Sequence, residues 1–145
     1  YDNLGNRLSH TKKWTIQSGG HHENGTFTYN TADRLSEKTI ETSEGGVRGT
    51  YTYTYDSNGN QKSEKRENDY SWGYYYDYEN RLIRVTKGSN EQVRNLYNGD
   101  GQLMGVIEAA NNSATYYQYD GSQVIADRDG AGALMASYTR LPSGK

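Results

Sequence analysis

Short stretches in which polar and apolar positions alternate, separated by turn formers, run the length of this 145-residue chain. The clearest is Tyr51 to Lys62, YTYTYDSNGNQK. Tyr51, Tyr53 and Tyr55 alternate with Thr52 and Thr54, so an extended strand places three rings on one face and the threonines on the other. Asp56, Ser57, Asn58, Gly59 and Asn60 follow; Asp and Asn bond their own backbone, and Gly takes positive φ without steric cost. The stretch predicts a β-hairpin. No ten residues show a convincing 3.6 period, which predicts almost no helix.

The hairpin pattern recurs as YDNLGNRL from Tyr1, YNTADRL from Tyr29, YDYENRL from Tyr76, YNGDGQL from Tyr97 and YDGSQV from Tyr119. Counting Tyr55, the lead tyrosines are spaced by 28, 26, 21, 21 and 22 residues, a period that signals a repeat architecture. A second, less regular class of turn is expected between them: Ser18 to Gly25, Ser43 to Gly46, Glu67 to Asp69, Lys87 to Asn90, Asn111 to Ser113 and Asp129 to Gly132. About twelve antiparallel strands result, in an all-β meander. A sheet of that size with a patterned face is expected to twist and curve, as a spiralling ribbon or an open shell.

Composition narrows the packing. Only 32% of residues are hydrophobic, and 15 residues are tyrosine against one Phe and two Trp. Aromatic ladders with scattered Leu, Ile and Val must therefore do most of the packing. Disordered chains are poor in aromatics and rich in Pro; this one has a single Pro and a net charge of -2, so it reads as folded. That balance, with no basic stripe, gives no footing for nucleic acid, and basic clusters such as Lys62 to Arg66 are diluted by acids. No cysteine is present, and no apolar run suggests a targeting or membrane-inserting segment. Tyr1 opens in the middle of a repeat and LPSGK closes without a cap, so residues 1–145 are expected to be a fragment of about six repeats, cut from a larger protein at both ends.

Candidate chemistry is sparse. His21, His22 and Glu23 cluster, but in an expected Gly-rich turn and with no third ligand at recognisable spacing, so an exposed loop is preferred to a metal site. Asp56 to Asn60 looks like the start of a calcium loop, yet Glu64 falls at position 9, too early to close a 12-residue frame. The carboxylates sit on no distinctive motif, no nucleophile elbow occurs, and GDG at Gly99 to Gly101 is a turn; no catalytic residue, cofactor site or metal site is predicted. Trp72, Tyr74, Tyr75, Tyr76 and Tyr78 form the densest aromatic patch and are the candidates for stacking a sugar, although cross-strand packing is the preferred use of these rings.

The pattern Tyr-Asp-x-x-Gly-Asn-Arg-Leu, intact in YDNLGNRL and repeated along essentially the whole chain, resembles the YD repeat of Rhs proteins, whose relatives include shell-forming components of Tc toxins and the teneurins. The tail YDGSQVIADRDGAGALMASYTRLPSG is similar to the last repeats of Rhs shells. Departures are local: Tyr29, Tyr76 and Tyr97 head loops shortened by one residue, Tyr119 one shortened by two, and Lys62 replaces the usual apolar residue. The resemblance implies a β-shell around a C-terminal toxin in an exported bacterial protein, secreted or at the cell surface. This segment would be chemically inert wall, with neighbouring repeats and the toxin as partners. The alternative is a cell-surface adhesive module that binds a glycan or a protein. In isolation, unpaired strand edges are expected to promote self-association.

Overall fold

Alternating rings and hydroxyls suit a pleated strand, and asparagine, aspartate and glycine suit the reversals between strands. A computed structural model describes the backbone of residues 1–16, 19–42 and 47–139, and the side chains of these except residues 10, 12–16, 19–23, 42, 47 and 48. Twelve strands and no helix occur among the described residues. The chain divides into two compact units, Tyr1–Gly73 and Tyr74–Lys145.

In the first unit, β1 (Ser9–Ile16), β2 (Gly19–Tyr29), β3 (Leu35–Thr42), β4 (Val47–Tyr55), β5 (Gln61–Arg66) and the opening of β6 (Ser71–Tyr76) follow one another in sheet order, each antiparallel to the last. The expected division of faces holds. Tyr51 lies opposite Lys38 on one side and Arg66 on the other, and Tyr53 lies opposite Glu64. The other face carries hydroxyl pairs: Thr28 with Ser36 at 3.4 Å, Thr39 with Thr50 at 3.4 Å and Thr54 with Ser63 at 2.5 Å. The Lys38 ammonium stands 4.4 Å from the Tyr51 ring centroid, so the rings also dock cations.

In the second unit, β7 (Leu82–Lys87), β8 (Asn90–Tyr97), β9 (Leu103–Glu108), β10 (Ser113–Asp120), β11 (Gln123–Asp129) and β12 (Leu134–Ser137) again run in sheet order and antiparallel. Gly105 in β9 is covered by Tyr116 of β10: a Cβ there would meet the ring at 2.8 Å and the Thr115 carbonyl at 3.1 Å. Neither unit has an ordinary core. Among the described residues the buried apolar side chain is Ala126, at 7% exposure, and no large side chain is fully buried. Half-buried rings resting on neighbouring strands do the packing instead.

Register explains the apparent variation in loop length. At Tyr29, Tyr55 and Tyr97 the pairing shifts by one residue, so that each tyrosine faces Leu35, Gln61 or Leu103, and Ser36, Lys62 or Met104 is the extra residue of a β-bulge. Lys62 thus stands at the bulge, where Met104 stands in the Tyr97 hairpin, and Gln61 takes the position of Leu35 and Leu103. Five residues separate tyrosine and partner in each case, so the loops at Tyr29 and Tyr97 are as long as that at Tyr55. The Asp77 N–H donates to the Arg81 carbonyl, which gives the Tyr76 loop the same span.

Two further expectations are corrected. Gly19 to Gly25 is strand, with His21 opposite Trp14 and His22 opposite Lys13, because β1 and β2 extend almost to residues 17–18. Tyr119 leads into a two-residue turn, Gly121–Ser122, between paired Asp120 and Gln123; the five-residue loop appears instead at Asp129 to Ala133. The expected turn at Ser43 to Gly46 and the terminal LPSGK lie outside the described residues.

Candidate functional site

The most developed local chemistry is a loop built six times to one plan. Its heads are Asp2, Asn30, Asp56, Asp77, Asn98 and Asp129. In each, Oδ1 of the head accepts N–H groups from the second and fourth residues after it, at 2.8–3.0 Å. The third residue after the head takes positive φ: Gly5 at 87°, Asp33 at 60°, Gly59 at 94°, Asn80 at 63°, Gly101 at 82° and Gly132 at 86°. Those identities follow from sterics, since Gly, Asn and Asp tolerate the left-handed region best.

Acidic heads are also held by side-chain donors. The Asn6 amide donates to Asp2 Oδ2 at 2.9 Å, and the Asn60 amide to Asp56 Oδ2 at 3.0 Å; these bonds hold both carboxyls below the ordinary aspartate range. At Asp77 burial pushes the carboxyl up, but the Arg81 backbone N–H and Nε, the latter at 2.7 Å, outweigh it and the net direction is down. These carboxylates already accept from their own loops, which leaves the calcium-loop look of Asp56 to Asn60 as turn chemistry.

Successive loops are tied by two ladders. In the first, a tyrosine hydroxyl donates to the carbonyl five residues after the preceding head: Tyr29 to Arg7 at 2.9 Å, Tyr55 to Leu35 at 2.8 Å, Tyr97 to Leu82 at 3.3 Å and Tyr119 to Leu103 at 2.9 Å. In the second, the side chain four residues after a head reaches a positive-φ residue of the next turn. Asn6 donates to Asp33; Arg34 and Arg81 lie against Gly59 and Gly101, within 3.2 and 3.3 Å of where a Cβ would stand; Gln102 donates to the Gly121 carbonyl at 2.7 Å. Arg34 also covers the Tyr55 ring at 5.0 Å and Arg81 the Tyr97 ring at 4.9 Å. Burial pushes the Tyr55 hydroxyl up against the opposing charge of Arg34, keeping it a donor.

Solved structures resemble the chain, and three stand as examples. They are crystal structures of TcdB2-TccC3-Cdc42 (15% identity, TM-score 0.49), TcdB2-TccC3-TEV (18%, 0.47) and TcdB2-TccC3 (16%, 0.32). The likeness covers 87%, 87% and 89% of this chain but 9%, 9% and 7% of those chains, so this chain spans less than a tenth of their length. No protein-family model and no curated protein matches the sequence.

The predicted aromatic patch is distributed rather than gathered. Trp72 belongs to the first unit, opposite Glu64. In the second unit, strand alternation sets Tyr74 and Tyr76 on one face of β6 and Tyr75 on the other. Tyr78 stands in the loop at 88% exposure. Tyr75 and Tyr76 do contribute to an open groove of about 510 Å³, with Arg84, Arg94, Asn95 and Tyr97 among its other lining residues. The side chains of His21, His22 and Glu23 lie outside the described residues, among which no three potential ligands gather as a metal site. No helix long and apolar enough to cross a membrane occurs among the described residues.

Sequence reasoning put one loop in the irregular class of turns and missed one group of side chains. The Asp129 loop lacks a lead tyrosine, Arg128 taking its place opposite Leu134; the signal that finds it is an Asx followed three residues later by Gly, as in DGAG. The roles of Asn6, Arg34, Arg81 and Gln102 depend on the next loop lying alongside. Their common position, four after the head, could have marked them.

Proposed function

We propose that this chain is a wall segment of a larger Rhs-type shell, exported from a bacterium, that encloses a C-terminal toxin. The observation that carries this is the pair of ladders: a loop's carbonyl accepts the next hairpin's tyrosine hydroxyl, and its side chain reaches the next turn's positive-φ residue. Hairpins joined by identical nearest-neighbour contacts form a repeat array that extends without a central core. The half-buried rings and absence of large buried side chains suit a sheet whose faces are completed by more sheet or by enclosed cargo, a role that asks no catalysis of the wall itself.

Limited proteolysis of the full-length parent tests it. The domain downstream of the repeats should resist cleavage, and should become sensitive when Tyr55 and Tyr97 are both changed to alanine. Equal sensitivity in both proteins would overturn the shell role. The isolated chain should self-associate through the outer edges of β1 and β12, each of which has a strand on one side only in the sheet order. Sedimentation velocity across a concentration series checks this; a monodisperse monomer at every concentration counts against it.

A further inference from the structure

We propose that the groove beside Tyr75 binds an acidic saccharide, with Arg84 receiving its carboxylate. This goes beyond the wall role and does not depend on it. Arg84 and Arg94 are directly opposed across β7 and β8. Like charges so placed disfavour a sheet, and a pair that keeps a net positive charge points to an anion. Glu91 bonds Arg94 at 3.0 and 2.9 Å, and its charge also reaches Arg84, so one carboxylate serves two guanidiniums. Arg84 has no carboxylate within ion-pairing distance among the described residues; its guanidinium lies 3.9 Å from the Tyr75 ring centroid.

The rest of the groove suits a sugar. Tyr75 is 42% exposed, leaving ring surface for the C–H face of a pyranose. β8 is paired on both sides, by β7 and β9, so it offers an extended peptide no edge to augment. A net charge of -2 argues against a polyanionic nucleic acid.

The test is calorimetric titration of the 145-residue chain with a hexamer of galacturonic acid and, separately, with neutral cellohexaose. The acidic hexamer should bind, more weakly as salt rises, and the neutral one at least about tenfold more weakly. Arg84→Gln should abolish binding with an unchanged circular-dichroism spectrum and an unchanged or raised melting temperature, since it removes the like-charge opposition. Arg84→Lys keeps the charge but not the planar fork, and should bind with intermediate affinity. Equal binding of both hexamers, no binding of the acidic one, or full binding by Arg84→Gln would each overturn the proposal.

Discussion

In each unit the hairpins have two ends, made differently. At the end closed by the loops of Asp2, Asn30 and Asp56 in the first unit, and of Asp77 and Asn98 in the second, loop length, backbone and side-chain placement repeat. At the other end the turns include the two-residue Gly88–Ser89, a turn with Asn68 at a φ of 59°, and the longer Ala109 to Asn112. The ladder end has two tasks, reversing the chain and gripping its neighbour. The other end mainly reverses the chain, and several turn types do that equally well. The exceptions fit: the ladder end keeps its hydroxyl bond from Tyr119 although the turn there is short, while the Asp129 loop repeats the turn plan at the opposite end.

That contrast can be broken most strongly within one loop. Gly101→Ala forces a side chain into positive φ and against Arg81, and should cost about 1–2 kcal/mol in urea denaturation. Gly99→Ala, two residues away with open space around it, should stay within about 0.5 kcal/mol. Equal effects would mean that the second ladder does not matter to stability.

A smaller effect should separate two tyrosines. Tyr119→Phe removes the donor to the Leu103 carbonyl and should cost about 1 kcal/mol, whereas Tyr78→Phe, at an exposed loop position, should be neutral in the same assay.

The smallest effect is in pH. The Asp2, Asp56 and Asp77 carboxyls are lowered in the folded chain, so their contribution is present above the ordinary aspartate value and is lost as pH falls through their folded values. Melting temperature should therefore drop as pH is taken below about 4. Asp56→Asn keeps the Oδ1 acceptor but cannot titrate, and should flatten that drop slightly; an identical profile would remove the Asp56 loop from the account.

Much of this was legible because strands and turns are local. The face assignment of Tyr51, Tyr53 and Tyr55 follows from alternation, and the count of about twelve strands follows from the two classes of turn. The misplaced loops at Tyr119 and Asp129 have one source. The letters make the lead tyrosine look like the mark of the loop, but tyrosine serves the contact between hairpins and the Asx head with its positive-φ residue serves the turn; the two coincide at Tyr55 and part company at Tyr119 and Asp129. Bulges were invisible for a related reason. Lys62, Ser36 and Met104 share no chemistry, only a place where the partner strand skips a residue. The groove's opposed arginines needed the pairing register of β7 and β8, which alternation alone does not provide.

The second ladder also bears on how such a chain could change over generations. Because the side chain four residues after each head meets a residue of the same backbone shape in the next turn, a hairpin pair cut out or duplicated at that boundary leaves compatible surfaces on both sides of the join. Gene duplication and recombination could then lengthen or shorten the sheet in whole units while every junction stays matched. Among the described residues the opposite end shows no such grip, so a change of turn length there leaves both ladders in place.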